Sequence, residues 1–144
     1  MLKFHLFDSI INKDDKILIL GSFPSVKSRE GNFYYMHPQN RFWRLLSIIY
    51  EEDFVNSNIE EKTQLLNKHH IALYDVIESC NIIGSSDSSI TDVVPTDVKK
   101  LIDGTNIKHI YLNGKTAYNL FIKYNPQMAY MATYLPSTSP ANAR

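Results

Sequence analysis

The 144-residue chain holds a single cysteine, a single tryptophan and only five glycines, and its 15 basic and 15 acidic side chains cancel. Each scarcity excludes something. A lone thiol, Cys80, can form neither an internal disulfide, nor a four-thiolate iron–sulfur site, nor a cysteine-rich zinc site, which points to a reducing compartment and so to the cytoplasm. No stretch approaches the roughly 18 apolar residues of a membrane helix. The apolar start Met1-Leu2-Lys3-Phe4-His5-Leu6-Phe7 is broken by Asp8 and then by Asn12, Lys13, Asp14 and Asp15 before a signal-peptide core can form. Zero net charge gives no global pull toward nucleic acid, so any such affinity must be local. What remains is one domain, residues 1–144, large enough to bury roughly 68–70% of its unfolded surface without staples.

Lys16-Ile17-Leu18-Ile19-Leu20-Gly21 reads as a strand covered on both faces. Over residues 40–50, Phe42, Leu45, Leu46 and Ile49 recur at spacings of three and four, which predicts an amphipathic helix. A second helix is expected over 59–70, with Glu60 and Glu61 near its start and Lys68, His69 and His70 near its end. Ile71-Ala72-Leu73-Tyr74-Asp75-Val76 reads as a strand, and 77–96, with Gly84-Ser85-Ser86-Asp87-Ser88-Ser89, as a mobile loop. A short helix over 97–102, a strand over 107–112, a helix over 114–124 and a strand over 128–135 complete the pattern. Alternating strands and helices imply an α/β sandwich around a mainly parallel sheet. Ser139-Pro140-Ala141-Asn142-Ala143-Arg144 reads as a helix start that is cut off, or else as a frayed tail.

In an open parallel sheet, ligands bind beyond the carboxyl ends of the strands. The segments Gly21-Ser22-Phe23-Pro24-Ser25, Asn113-Gly114-Lys115-Thr116 and Leu135-Pro136-Ser137-Thr138-Ser139-Pro140 should therefore converge on one crevice. Gly114-Lys115-Thr116 is not a phosphate-binding loop, because His109 stands where that motif needs its first glycine. The first segment lacks the glycine spacing of a dinucleotide fingerprint, and His69-His70 is no metal signature. Between Lys27 and Arg44 the cations Lys27, Arg29, Arg41 and Arg44 are interleaved with Phe33, Tyr34, Tyr35, His37, Phe42 and Trp43. That mixture suits a nucleic-acid surface, cations to phosphates and rings to unstacked bases; equally, Phe42 and Trp43 suit the core side of a helix.

Gly21-Ser22-Phe23-Pro24-Ser25, Tyr34-Tyr35-Met36-His37-Pro38-Gln39-Asn40-Arg41-Phe42-Trp43, Leu112-Asn113-Gly114 and the block from Leu135 to Ala143 together resemble the uracil-DNA glycosylase superfamily. The match is closest to its hypoxanthine-DNA (deoxyinosine) glycosylase branch. The block from His37 to Trp43 is also similar to the mismatch-specific uracil-DNA glycosylases. Those carry a catalytic asparagine just before the first-block proline, where this chain has Phe23, and an aromatic ring cannot orient water by hydrogen bonding. The resemblance thus implies the hypoxanthine branch, with the catalytic amide at Asn40, and a three-layer α/β/α sandwich with a four-stranded sheet. A final helix that usually follows the last block in this family is missing from the chain.

The resemblance implies hydrolysis of the N-glycosidic bond of a deaminated base flipped from double-stranded DNA, without metal or organic cofactor and without a membrane, by a monomer. Asn40 would orient water; helix capping is its other reading. Asn113 would read the base through an amide whose donor and acceptor match the ring N–H and carbonyl of hypoxanthine or uracil; a turn residue before Gly114 is the alternative. Phe23, Tyr35 and His37 are candidate base contacts. Ser22, Pro24, Ser25, Arg41, Ser137, Thr138 and Ser139 are candidate DNA contacts. A DNA-binding domain without turnover and a nucleoside hydrolase are the competing functions, the latter with no carboxylate cluster legible to support it.

Overall fold

The computed structural model describes residues 2–140. Their elements run β1 (Leu2–Phe4), β2 (Ile17–Gly21), α1 (Val26–Gly31), α2 (Phe42–Tyr50), α3 (Ile59–Lys68), β3 (Ile71–Asp75), β4 (Ile77–Asn81), β5 (Thr91–Pro95), α4 (Val98–Ile102), β6 (His109–Asn113), α5 (Lys115–Tyr124) and β7 (Ala132–Leu135). Four of the strands form a wholly parallel sheet in the order β3-β2-β6-β7. Helices flank it, the three-layer arrangement expected. β2 and β3 are near-continuous apolar runs because both of their faces are covered; Leu18, Leu20, Ala72 and Leu73 are fully buried. Among the described residues no helix is long and apolar enough to cross a membrane.

Local chemistry sets the helix ends. At α3, Asn58 Oδ1 accepts the N–H of Glu61 at 2.8 Å while Glu61 Oε1 accepts that of Asn58 at 2.9 Å, a reciprocal capping box. The helix stops at Lys68, two residues earlier than expected, because His70 turns into the left-handed region (φ 61°) to enter β3. α2 buries Phe42, Trp43 and Leu46. Its neighbouring residues Leu45, Ile48 and Ile49 instead line an apolar groove of 640 Å³ with Ile17, Ile19 and Tyr111.

Two expectations need correction. Residues 77–96 are not an irregular loop: β4 and β5 pair antiparallel, β1 adds to the other edge of β4, and a 3₁₀ turn over Asp87–Ser89 forms the tip. Two register shifts in the β4–β5 ladder and polar Ser79 at a buried position hide the alternation that marks a strand. The last strand begins at Ala132 rather than at 128. Pro126 opens a 3₁₀ segment, Pro126–Met131, whose buried Met128 and Met131 recur at its three-residue spacing. α1, which no periodicity announces, is a six-residue helix capped by Ser25. The helix start expected over 139–144 falls mostly outside the described residues.

One buried carboxylate works against this fold. Asp15 is 1% exposed; its Oδ2 accepts the N–H of Asn12 at 2.8 Å and its Oδ1 has no partner. Burial raises its proton affinity above that of an ordinary aspartate. The folded state therefore binds this proton more tightly than the unfolded chain. The associated stability is full below the ordinary carboxylate value and is lost as pH rises through the raised folded value. Asp15→Asn is predicted to unfold at a higher urea concentration than wild type at pH 7, with the gap closing as pH is lowered into the ordinary carboxylate range.

Candidate active site

The register of the parallel sheet brings four strand ends to one edge. Gly21 pairs with Asp75 and Asn113 with Leu135, so the segments that follow must share the space beyond them. That space is a cleft of 360 Å³ walled by Gly21 to Ser25, Tyr35, Asn40, Asp75, Asn113 and Ser137 to Ser139, with Ser85 to Ser88 of the β4–β5 tip closing one side. The size suits one small ligand. All three segments picked out by the strand-end argument line it, and so do both asparagines.

The last block is fastened to the end of β6. Asn113 Nδ2 donates to Thr138 Oγ1 and Asn113 Oδ1 accepts the N–H of Thr138, both at 3.0 Å. Gly114 makes the close approach possible: its φ is 105°, and a Cβ there would stand 3.1 Å from that of Ser137. Arg41 adds a second fastening. Its backbone N–H donates to Thr138 O at 3.0 Å and its guanidinium to Ser137 O at 3.0 Å. The cation expected at DNA phosphates is thus engaged with the carbonyls of the loop. Asn40 Oδ1 accepts the N–H of Phe42, the first residue of α2, at 2.9 Å; the N-cap itself is Arg41, so Asn40 stands one residue before the capping position expected as its alternative role, and it lines the cleft.

The first block forms the opposite wall. Ser22 Oγ donates to Asp87 Oδ1 at 3.0 Å, and Ser25 Oγ accepts the N–H of Ser28 at 3.2 Å to cap α1. Pro24 is buried. Phe23 is buried at the cleft with Ile77, Cys80 and Ile82 behind it. Tyr35 stacks on Phe42 with ring centroids 3.9 Å apart, and its backbone holds φ at 55°, an uncommon conformation for a bulky side chain. His37 does not line the cleft: its Nδ1 accepts the N–H of Gln39 at 3.1 Å within a turn. The cationic and aromatic mixture from Lys27 to Arg44 is not a surface patch either. Phe33, Tyr34, Phe42 and Trp43 are core residues, Phe33 stacking on Trp43 at 5.8 Å. Their aromatic character reflects packing around the N-terminus of α2.

Two carboxylates line the cleft that composition and spacing did not single out, Asp75 and Asp87. Asp75 ends an otherwise apolar strand, and a charge at that position was the available signal. Its Oδ2 lies 2.7 Å from His5 Nε2, with both side chains buried. His5 comes from the N-terminal segment, which no motif connects to the site. Asp87 sits at the hairpin tip; the desolvation of its carboxyl raises its proton affinity, opposed by the Ser22 hydroxyl. Among the described residues no group of three or more His, Cys, Asp or Glu side chains is placed to hold a metal ion.

Fold and cleft together define the class: an α/β protein with its ligand site at the carboxyl edge of a parallel sheet, furnished with carboxamides and hydroxyls. The uracil DNA glycosylase superfamily model matches residues 9–144, and the chain belongs to that superfamily. Two similar proteins are the hypoxanthine DNA glycosylases of Methanosarcina barkeri and Methanosarcina acetivorans. They are 35% and 34% identical over 142 residues, which are 96% of this chain and 87% of each relative. A solution NMR structure of a Methanosarcina acetivorans protein provisionally assigned as a uracil DNA glycosylase superposes with a TM-score of 0.86. It is 34% identical, the match covering 99% of this chain and 88% of that one.

The Asn113–Thr138 tether makes a prediction for stability. Thr138→Val removes one of its two bonds and is expected to cost about 1 kcal/mol, whereas Asn113→Ala strands the Thr138 N–H and is expected to cost about 1–3 kcal/mol. Urea denaturation of the two variants checks the order.

Proposed function

We propose that this chain is a monofunctional DNA glycosylase. It accepts a deaminated base, hypoxanthine before uracil, flipped from double-stranded DNA into the 360 Å³ cleft, hydrolyses its N-glycosidic bond and leaves an abasic site. The observation that carries this reading is the meeting of Asn40 and Asn113 in one cleft at the carboxyl edge of the sheet. The names of the Methanosarcina relatives support hypoxanthine as the preferred base.

Bond cleavage through a cation-like sugar needs a placed water and a stabilised leaving base rather than a strong acid or a metal. Asn40 spends one lone pair of Oδ1 on Phe42 and keeps a second for water. The contact with Phe42 then orients the amide instead of competing with it, and the contribution is placement and electrostatics. Asn113 retains one N–H and one lone pair beyond the Thr138 tether for the base. Phe23 supplies a ring against which a flipped base can pack. Ser22, Pro24, Ser25, Ser137, Thr138 and Ser139 line the cleft and are assigned to the lesion strand, with Arg41 holding the last of these blocks in shape. One copy of the chain suffices for this chemistry.

Single-turnover assays on duplexes carrying one deoxyinosine test the reading. Wild type is expected to generate abasic sites. Asn40→Ala is expected to slow excision by about 10²–10³-fold, the scale of losing one preorganised polar group. DNA affinity should fall with rising salt. Tight binding without product identifies a DNA-binding domain, and turnover of free inosine but not of the duplex identifies a nucleoside hydrolase.

A further inference from the structure

The two carboxylates that line the cleft differ in what balances them. Asp75 is paired with His5 at 2.7 Å. Asp87 forms no ion pair among the described residues. It accepts the Ser22 hydroxyl at 3.0 Å, and the Thr116 hydroxyl also favours its charged form.

Those two hydroxyls fix where the charge stands. Ser22 follows the last residue of β2, Thr116 is the second residue of α5 just beyond the end of β6, and β2 and β6 are neighbours in the parallel sheet. The carboxylate therefore lies over the ends of the two central strands, although it comes from a hairpin 65 positions away from Ser22. The tip that carries it is also tied to α1. The Val26 N–H donates to Ser85 Oγ at 2.8 Å, and the Arg29 guanidinium donates to Gly84 O.

A fastening alone does not account for the charge. An amide at position 87 would accept from Ser22 as well, and it would spare the repulsion that a carboxylate exerts on the phosphates of an entering strand. The reaction has a use for the charge. As the bond from C1′ to the base breaks, the sugar becomes cation-like, and the water that adds to C1′ must give up a proton. The amide of Asn40 can place that water but offers no basic site to take the proton. Asp87 is exposed toward the cleft before a substrate enters, and its bond to Ser22 leaves lone pairs free on the carboxylate. A bound nucleotide would cover it and strengthen its field at the sugar.

We propose that Asp87 is a catalytic residue of the excision step, its carboxylate facing the cation-like sugar and accepting the proton of the water that Asn40 orients. This rests on the glycosylase reading above. The bond between C1′ and the base nitrogen breaks with its electron pair leaving on the base, which takes a proton from solvent. The water oxygen bonds to C1′, and one water proton passes to Asp87 and from there to solvent. The hairpin tip is then part of the reacting site and not only its wall.

The test is single-turnover excision of deoxyinosine at saturating enzyme, beside binding of an uncleavable duplex that carries the 2′-fluoroarabino analogue, whose fluorine suppresses the cation-like sugar. Asp87→Asn keeps an acceptor for Ser22 and loses only the charge. It is expected to slow excision at least tenfold, the lower side of what a general base contributes, while binding the uncleavable duplex as tightly as wild type or more tightly. Asp87→Ala should be slowed as much, and added formate, a small carboxylate, should raise its rate at least fivefold relative to the same concentration of chloride. Asp87→Asn decides the matter if Asp87→Ala does not fold. Slowing of less than tenfold in Asp87→Asn, a loss of rate matched by an equal loss of binding, or a folded Asp87→Ala that does not respond to formate overturns the assignment alone. Absence of deoxyinosine excision by wild type overturns the glycosylase reading and this assignment with it.

Discussion

The parallel register of the four-stranded sheet is the constraint from which the site follows. With Gly21 beside Asp75 and Asn113 beside Leu135, backbone pairing alone delivers a bare α-carbon, a carboxylate and a carboxamide to one edge of the sheet. Parallel strands are covered on both faces, so their ends are the places where polar side chains can gather without penetrating the core. A slip of one residue in β6 would turn Asn113 to the other face. The chemistry at the edge is thus protected by the burial of Leu18, Leu20, Ile110 and Leu112, none of which lines the cleft.

Around that edge, most polar groups are engaged in holding one another, and the few that are not stand out. Arg41, Asn113 and Thr138 bind the final block to the start of α2 and the end of β6. Ser22 and Asp87 join the first block to the hairpin tip, where Arg29 also binds the carbonyl of Gly84. Such cross-linking holds loops from distant parts of the chain in one geometry before any ligand arrives, which suits a site that acts by placement rather than by strong acids or bases. Within this network Asp75 is held through one carboxylate oxygen by His5, and the Tyr35 hydroxyl is buried beside Asn113.

Much of this was legible in the chain. Every strand of the parallel sheet announced itself by an apolar run, and the helices over α2, α3 and α5 by periodicity and end residues. The three loop segments of the cleft followed from the rule that parallel sheets bind ligands at their carboxyl ends. The antiparallel sheet did not, because its ladder is irregular and its tip is serine-rich, so nothing in its pattern has period two for long. The aromatic and basic residues from Lys27 to Arg44 misled for a different reason: rings in a core and rings on a binding surface are the same letters, and only burial separates them.

Local propensity and pattern therefore determined the parallel strands, most of the helices and the small polar loops that end the strands, since each of these depends on neighbours within a few residues. The tertiary structure alone decided that His5 reaches Asp75 across 70 positions and that Asn113 shares its amide with Thr138 across 25. It alone decided that His37 stands outside the cleft while Tyr35 stands in its wall. A hydrogen bond between residues so far apart in sequence leaves no local trace, because its energy is set by where the folded backbone carries the two groups and not by what surrounds either one along the chain.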